Sequence, residues 1–282
     1  MTRFGLKLMS ELRTPGELVE HAVAAEEAGF EFVSISDHIH PWLGEHEHSP
    51  FAWSVLGAIA QATERIELAT GLTCPIVRYH PVIVAHAAAT VACLSGRKLT
   101  LALGAGERLN EHVTGAPFPA VDVRHEMLEE AVAAITALWS GSWTTIRGTH
   151  FTVEDARIYD LPETPIDIVL GVSGGASLDA AERAGAAGIM ATDPEAELVD
   201  GWTSRGGSAD GTWAEVPFSW AASGEEGLRL AHERFRFGAL GWKVLAELPN
   251  PVNFDAATEF VTPEVVADEI PHGPDPQPYV QA

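Results

Sequence analysis

The sequence predicts an α/β fold in which a parallel sheet forms a TIM (β/α)8 barrel. Short apolar runs alternate with longer amphipathic stretches along the first 235 residues, and the connections between them are short. This alternation gives seven strand–helix units, which is typical of a barrel rather than of an open, doubly wound sheet. The length of 282 residues suits one large barrel, and no apolar run is long enough to cross a bilayer.

The predicted elements follow one another from the N-terminus. After a first strand, Thr14 can cap a helix whose Pro15 suits the first turn and whose Glu17 completes a capping box; this helix is expected to end near Gly29. The predicted strands are residues 4–9, 32–36, 66–70, 98–103, 166–170, 188–191 and 213–220. The later predicted helices are residues 51–63, 81–94, 123–139, 177–184, 195–202 and 225–235.

Two segments interrupt this alternation. The pattern within residues 142–162 predicts a β-hairpin that turns at Arg147-Gly148. Residues 237–282 are helical and rich in proline, with a loop at residues 271–276 and no clear eighth strand. A barrel closes by pairing its eighth strand with the first and seventh. We therefore expect one domain, residues 1–282, that lacks the last strand and helix because the chain is incomplete or another element or subunit fills the gap.

The composition restricts the partners and the location. The net charge of −23, from 40 acidic and 17 basic residues, repels nucleic acids and anionic membranes, so neither is expected to be a partner. Cys74 and Cys93 are too few for a disulfide framework and indicate reduced thiols of a cytoplasmic protein. The N-terminus lacks the apolar region of a signal peptide.

Reactive side chains gather where predicted strands end. In a parallel barrel these ends meet at one mouth, so Glu11, Asp37, His38 and Glu107 are expected to face the same space, together with residues 71–74 and 173–175. His38 could exchange protons near neutral pH, and Glu107 could act as an acid if burial raises its pKa. Trp42, in the loop after the second strand, could cover a flat or cationic ligand.

Two further patterns at the mouth have both a functional and a simpler explanation. Ser173-Gly174-Gly175, between a strand and a helix, could hold a phosphate on free backbone N–H groups, although glycines also simply end strands. His38-Ile39-His40 could begin a metal site, but such a site needs ligands from later strand ends. Only Asp193 is available there, so no metal is predicted.

The remaining histidines and tryptophans are expected to be structural. His46 and His48 are interpreted as loop residues. The other members of this set are the helix histidines His80, His86 and His232, and the predicted core tryptophans Trp202, Trp213 and Trp220.

Five segments together resemble one known family. They are residues 36–42 (SDHIHPW), 48–51 (HSPF), 73–75 (TCP), 78–81 (RYHP) and 104–111 (GAGERLNE), with a later run at residues 241–254 (GWKVLAELPNPVNF). In this order they closely resemble the luciferase-like monooxygenase superfamily, in the branch of F420-dependent glucose-6-phosphate dehydrogenase-like oxidoreductases. The resemblance implies a bacterial luciferase-like TIM barrel with insertions, usually a homodimer, that transfers a hydride between an alcohol-type substrate and C5 of the 5-deazaflavin F420.

The resemblance also implies roles for single residues. His38 would be the base that takes the hydroxyl proton, Trp42 would cover the site, Glu107 would be an acid near the deazaflavin, and Glu11 would lie in the same pocket. The positions that match coenzyme contacts are Asp37, Cys74, Asn110, Ser173 and Gly174. Gly71-Leu72 matches a non-prolyl cis peptide that forms a bulge behind the deazaflavin ring.

Four positions depart from the sugar-phosphate enzymes of this branch. Cys74 replaces a threonine and Gly175 a proline, while Glu195 and Asp255 stand where lysines hold the substrate phosphate. Carboxylates would repel a phosphate, so the expected substrate is an unphosphorylated alcohol, aldehyde or ketone. Three alternatives stay open: an FMN-dependent monooxygenase of the same superfamily, a non-catalytic flavin- or deazaflavin-binding protein, and a metal-dependent hydrolase.

Overall fold

A computed structural model, which describes residues 2–192, 195–277 and 279, contains a curled parallel sheet surrounded by helices. The strands are β1 (Gly5–Leu8), β2 (Phe32–Ile35), β3 (Glu67–Thr70), β4 (Leu99–Leu103), β5 (Thr144–Arg147), β6 (Thr152–Ala156), β7 (Asp167–Gly171), β8 (Gly188–Ala191), β9 (Thr212–Ala214), β10 (Ser219–Trp220) and β11 (His272–Gly273). The helices are α1 (Pro15–Ala28), α2 (Ala52–Ala62), α3 (Pro81–Ser95), α4 (Arg108–Glu111), α5 (Val121–Leu138), α6 (Gly175–Arg183), α7 (Ala196–Ser204), α8 (Gly224–Phe235), α9 (Trp242–Leu245), α10 (Pro251–Ala257) and α11 (Pro263–Glu269).

The main sheet has seven strands in the order β1-β2-β3-β4-β7-β8-β9, and every neighbouring pair is parallel. This confirms the predicted fold class, an α/β fold with a parallel sheet of the TIM-barrel type, and β1 and β9 are the end strands of the described sheet. Because all seven strands run the same way, the loops that follow them emerge at one edge of the sheet, the mouth.

The first helix shows how closely local sequence rules hold. Thr14 Oγ1 accepts the N–H of Glu17, and the Glu17 carboxylate accepts the N–H of Thr14, as in the predicted capping box. Gly29 ends the helix with a φ of 91°, a left-handed conformation that favours glycine. Leu18, Ala22 and Ala25 are buried, so the face that carries them is the face packed on the sheet.

The last predicted strand, residues 213–220, is wrong as a single element. The structure divides it into β9 and β10, with Pro217 between them. Proline has no backbone N–H to donate to a sheet ladder, which explains the break. The short β10 leaves the main sheet and pairs with β11, which lies in the segment predicted to be a loop. Trp220, predicted to be in the core, is 66% exposed, whereas Trp202 is buried.

The predicted hairpin is present and lies outside the main sheet. Its strands β5 and β6 are antiparallel, and the Gly148 N–H donates to the Phe151 carbonyl, so the turn extends beyond the predicted Arg147-Gly148 pair. Glu130 of α5 accepts the N–H groups of Thr149, His150 and Phe151, which anchors the turn to the helix. The interpretation of residues 1–282 as one domain stays a prediction.

The segment after α8 returns to the mouth. A 3₁₀ turn at Arg236–Leu240 and the helices α9 and α10 bring Phe237, Leu245 and Phe254 against Trp42 and Leu43 in a separate apolar cluster. The C-terminal helices therefore line the mouth, although they lie far from it in sequence. Among the described residues, no helix is both long and apolar enough to span a membrane.

Candidate active site

His38 lies at the mouth between two glutamates. Its Nδ1 is 2.5 Å from Glu11 Oε1, and its Nε2 is 3.2 Å from Glu107 Oε1. Glu11 belongs to the short turn after β1, His38 to the loop after β2 and Glu107 to the loop after β4. The parallel sheet thus brings together three predicted residues that are up to 96 positions apart in the sequence. Glu11 is almost fully buried, while His38 and Glu107 keep a small exposed fraction.

The charges of this trio stabilise one another. Burial alone would lower the pKa of His38, but the two carboxylates outweigh burial and raise it to about 10. Burial alone would raise the pKa values of Glu11 and Glu107, but His38 beside them lowers both. At neutral pH the trio is therefore an imidazolium between two carboxylates. Acting as a base would require His38 to release its own proton first, a condition that the sequence did not reveal.

Asn110 fixes the position of this trio. Its Oδ1 accepts the N–H groups of Ile39 at 2.8 Å and of His40 at 3.2 Å, which ties down the loop that carries His38. Its Nδ2 donates to Glu107 Oε1 at 2.7 Å. The buried amide of Asn110 therefore holds in place both the loop that carries His38 and the Glu107 carboxylate.

Trp42 closes one side of the His38 pocket. Its indole lies edge-on to the imidazole, with ring centres 5.1 Å apart, and stacks on Phe237 at 4.9 Å. Phe254 meets the indole nearly at right angles at 5.2 Å. These contacts hold the indole beside the imidazole and leave Trp42 only 8% exposed.

The Asp37 carboxylate is occupied by side chains of this chain. Oδ1 accepts hydrogen bonds from Arg78 Nη2 and Tyr79 Oη, both at 3.0 Å, and Oδ2 accepts one from Thr73 Oγ1 at 2.7 Å. Arg78 Nη2 also donates to the Asp37 carbonyl at 2.5 Å. The predicted coenzyme contact of Asp37 stays a prediction, and the role visible here is to hold the loop before His38.

Sequence reasoning missed Glu111. Its Oε2 accepts the N–H groups of Val77 at 3.1 Å and Arg78 at 2.7 Å, so it holds the segment that supplies Arg78. Burial raises the pKa of Glu111 to about 7, although the hydrogen bond from the Arg78 N–H acts in the opposite direction and lowers it. Arg78, Tyr79, Thr73 and Glu111 all lay inside the quoted family segments, but their spacing gave no sign that they would meet.

Cys74 is buried next to Gly106 and Glu111. Burial and the nearby carboxylates of Glu111 and Glu107 raise the pKa of the Cys74 thiol. Cys74 is therefore a protonated packing group. Gly106 has a φ of 76°, and a Cβ there would lie 2.5 Å from Cys74 Sγ. The loop after β4 can therefore approach Cys74 only because residue 106 is glycine.

Gly71 and Leu72 form a bulge at the end of β3. The peptide bond between them is cis, as the resemblance implied. The Leu72 side chain points into the sheet interior, where Cβ atoms at Gly104 and Gly171 would lie 3.2 Å and 2.5 Å from its Cδ1. Glycines on β7 and after β4 therefore make the space that Leu72 fills.

The strand end after β7 leads into α6. Ser177 Oγ accepts the N–H groups of Ser173 at 2.9 Å and Gly174 at 3.2 Å, so these two donors are already capped. The first N–H groups of α6 itself, from Gly175 onward, have no partner within the helix. Apart from the chain neighbours and the backbone of α6 itself, no described heavy atom lies within 4 Å of a Cβ placed at Gly174 or Gly175, which leaves this helix end open.

The histidine loop, residues 43–48, is attached to the C-terminal helices. The Asp255 carboxylate accepts the Gly44 N–H at 3.1 Å and pairs with Arg236 Nη2 at 3.2 Å. His46 Nε2 lies 3.0 Å from the Arg234 carbonyl, and His46 is buried rather than a plain loop residue. Asp193 lies outside the described residues, so the absence of a metal stays a prediction.

Comparison with known proteins gives related sequences. The family model described as luciferase-like monooxygenase matches residues 1–200. The F420-dependent glucose-6-phosphate dehydrogenase of Beutenbergia cavernae is 41% identical over 198 residues, 70% of this chain and 59% of that protein. The F420-dependent hydroxymycolic acid dehydrogenase of Mycobacterium tuberculosis is 33% identical over 294 residues, 99% of this chain and 78% of that protein. The chain thus spans less than two thirds of the first of these relatives.

Solved structures share the fold. An F420-dependent secondary alcohol dehydrogenase, in complex with an F420-acetone adduct, superposes with a TM-score of 0.88 at 25% identity, covering 99% of this chain and 88% of its own. The coenzyme F420-dependent tetrahydromethanopterin reductase of Methanopyrus kandleri has a TM-score of 0.71 at 22% identity, covering 85% and 73%, which supports the fold alone.

Proposed function

This chain belongs to the luciferase-like monooxygenase family, and from that premise we propose that it is an F420-dependent oxidoreductase acting on a small uncharged alcohol or carbonyl. The observation that carries this proposal is the buried trio at the mouth, in which His38 lies between Glu11 and Glu107. A proton-exchanging imidazole beside a bulged backbone suits a reaction that moves a hydride and a proton together. The names of the relatives, including an F420-dependent secondary alcohol dehydrogenase, agree with it.

The mouth fits a deazaflavin coenzyme in two respects. The Gly71-Leu72 bulge presents backbone at the mouth to a flat ring, and the open N-terminus of α6 offers N–H groups to a phosphate. The chain's net charge of −23 makes such local donors necessary for an anionic coenzyme. The proposed coenzyme-contacting residues are Asp37, Gly71, Leu72, Cys74, Asn110, Ser173 and Gly174. When bound, F420 supplies a hydride acceptor, or in its reduced form a hydride donor, at C5.

The residues of the trio divide the proton chemistry. In the direction of carbonyl reduction, protonated His38 donates from Nε2 to the substrate oxygen, since its pKa of about 10 keeps it charged at neutral pH. In the direction of alcohol oxidation, neutral His38 takes the hydroxyl proton at Nε2, so this direction is favoured as the pH rises toward 10. Glu11 lies behind His38 and is buried, so it acts as a positioning residue that stabilises the imidazolium.

An uncharged substrate is supported by two carboxylates. Asp255 and Glu195 occupy the positions where the resemblance expects phosphate-binding lysines. Asp255 is moreover committed to the Gly44 N–H and to Arg236, so it cannot leave to make room for an anion without releasing the histidine loop. At these two positions a phosphorylated sugar would lack the lysines that the resemblance expects, whereas a neutral alcohol or ketone does not need them.

A second copy of the chain is the protein partner that we propose. Helices α2 and α3 contain no Asp, Glu, Lys or Arg, although the chain as a whole is strongly acidic. Ile83 and Leu94 of α3 are exposed on this uncharged surface, so two copies can meet there without opposing their carboxylates. Light scattering should give a dimer that Ile83→Glu converts to monomer.

A cytoplasmic location remains a proposal from the two cysteines.

Titrations with F420 and with FMN test the coenzyme, with the fluorescence of each followed in turn. We expect F420 to bind and to turn over with secondary alcohols or ketones, but not with glucose 6-phosphate. His38→Gln should bind F420 and lose turnover, while His21→Gln, an exposed histidine on α1, should behave as wild type. Binding of FMN alone would assign the chain to the monooxygenases. Undiminished turnover by His38→Gln would contradict the proposed mechanism.

A further inference from the structure

Lys7 is an unusual residue of the sheet. In the seven described strands of the main sheet, charged residues otherwise occur only at the first positions of β3 and β7, whereas Lys7 is the third residue of β1. A charge inside a parallel sheet costs free energy unless its partners compensate. The partners of Lys7 therefore indicate what the charge is for.

The ammonium group of Lys7 has two partners at the mouth. Its Nζ donates to the carbonyl of Gly71, at the end of β3. The same Nζ is 2.5 Å from Oε1 of Glu215, the residue that follows β9. The Glu215 N–H donates to the Ala191 carbonyl at 3.1 Å, so its backbone is fixed to β8. Lys7 thus joins the two end strands of the sheet and also grips the backbone of the bulge.

The bulge is shaped around this lysine. A Cβ at Gly71 would lie 2.8 Å from Lys7 Nζ and 3.4 Å from Ser34 Oγ, so glycine permits the approach of the ammonium. The Gly71 N–H donates to the Ile35 carbonyl at 2.8 Å. With Leu72 packed into the sheet interior, the Gly71 carbonyl is the one remaining polar group of this residue to be fixed, and Lys7 fixes it.

We infer that Lys7 is a positioning residue for the Gly71-Leu72 backbone and that Glu215 holds its ammonium group in place. The inference rests on the proposed function, because that function assigns this backbone to F420. It adds that the shape of the coenzyme site depends on contact between the two end strands of the sheet. A ligand that rests on the bulge binds less well when the bulge loses its support.

The test compares F420 affinity in four proteins by fluorescence titration. They are the wild type, Lys7→Met, Lys7→Met/Glu215→Leu and Lys98→Met. Lys7→Met leaves the Glu215 carboxylate without its partner, which lowers stability as well. The double variant removes that carboxylate, so it separates positioning from stability. Lys98→Met is the matched control. Lys98 carries the same charge and pairs with Asp167 at 2.8 Å, but it lies at the N-terminal ends of the strands, away from the mouth.

We expect both Lys7 variants to raise the dissociation constant of F420 by about tenfold or more, and Lys98→Met to change it by less than about twofold. The KM for F420 should rise more than kcat falls. Wild-type affinity in the double variant would overturn the inference. If the wild type binds FMN instead of F420, the proposed F420 dependence fails, and the same comparison with FMN still tests the positioning role of Lys7. Binding of neither coenzyme overturns both claims.

Hydrogen exchange without coenzyme gives an independent measurement. The Thr73 N–H donates to the Ala102 carbonyl at 2.9 Å, directly after the bulge. Loss of the Lys7 contact should speed exchange of the Leu72 and Thr73 amides in the double variant, whereas Lys98→Met should leave it unchanged. Equal exchange in all four proteins would show that Lys7 does not order the bulge.

Discussion

Asp37 and His38 are neighbours in the chain, yet they are the centres of two different networks. Asp37 accepts hydrogen bonds from Arg78, Tyr79 and Thr73, so its negative charge faces only donors. His38 faces two carboxylates, Glu11 and Glu107, and its charge depends on a proton that it can lose. Arginine, tyrosine and threonine donors bind the first network tightly, whereas the second is centred on an imidazole that can lose its proton.

Together the two networks make one loop both fixed and reactive. The Asp37 network supplies rigidity to the residue just before His38, and Asn110 does so for the two residues just after it. The imidazole is therefore held on both sides by groups that take no part in proton exchange. If this division is correct, variants of the first network should chiefly affect folding, and variants of the second should chiefly affect turnover and its pH dependence.

The largest effect should come from removing the cation of the Asp37 network. Arg78→Met leaves a buried carboxylate without its charged partner and should lower the free energy of unfolding by about 3–5 kcal/mol. Urea unfolding measures the change. Arg183→Met is the matched control, since Arg183 forms an exposed pair with Glu129 and should cost less than about 1 kcal/mol. Equal losses in the two variants would mean that the Asp37 network is not a structural centre.

Next in size is a change in the proton network. Glu107→Gln keeps the shape of the side chain but removes one of the two charges that raise the pKa of His38, so kcat should fall about 100-fold. The upper limb of the pH profile for carbonyl reduction should also move below pH 10, because His38 then loses its proton more easily. Steady-state rates between pH 6 and 11 measure both effects. An unchanged profile, matching that of the exposed control Glu126→Gln, would separate Glu107 from the chemistry.

The pH dependence of stability should also distinguish the networks. The pKa of His38 is raised from 6.5 to about 10 on folding. Its contribution to stability is therefore complete below pH 6.5 and is lost as the pH rises toward 10. The difference in unfolding free energy between wild type and His38→Gln should shrink across this range in urea titrations. A difference that grows with pH would mean that His38 is neutral in the folded protein.

The smallest effect should come from one donor of the Asp37 network. Thr73→Val removes the hydrogen bond to Asp37 Oδ2 and should lower the unfolding free energy by about 1 kcal/mol without moving the pH profile. Thr90→Val, at an exposed threonine of α3 that bonds its own helix, serves as the control. A shifted pH profile in Thr73→Val would show that the two networks are coupled rather than separate.

The sequence predicted the parts of this molecule that follow local periodicity. Apolar runs located the strands of the main sheet, and Thr14 and Glu17 located the start of α1. The convergence of Glu11, His38 and Glu107 could also be predicted, because a parallel sheet brings the residues after its strands to one edge whatever their separation in sequence. The strand around Pro217 was misplaced because apolar content suggested continuity, while the missing N–H of one proline ended the ladder.

The supporting groups were harder to predict for a physical reason. Arg78, Tyr79 and Glu111 lie in irregular loops or in a single helical turn, where neither a period of two nor one of 3.6 fixes the direction of a side chain. Their roles depend on which hydrogen-bond donor or acceptor lies within about 3 Å in the folded chain. The state of His38 was hidden likewise, since it depends on two carboxylates contributed by other strand ends.

The attachment of the histidine loop to the C-terminal helices bears on how the protein is made. His46 contacts the carbonyl of Arg234, 188 residues later in the chain, and Gly44 depends on Asp255 in the same way. At ribosomal rates of about 5–20 residues per second, these partners are synthesised roughly 10–40 s after the loop itself. The sheet strands can pair while synthesis continues, but the histidine loop, which follows His38 in the chain, takes its final form only when α8 and α10 have emerged. A nascent chain stalled before α8 would therefore be a partly folded barrel without a finished active site.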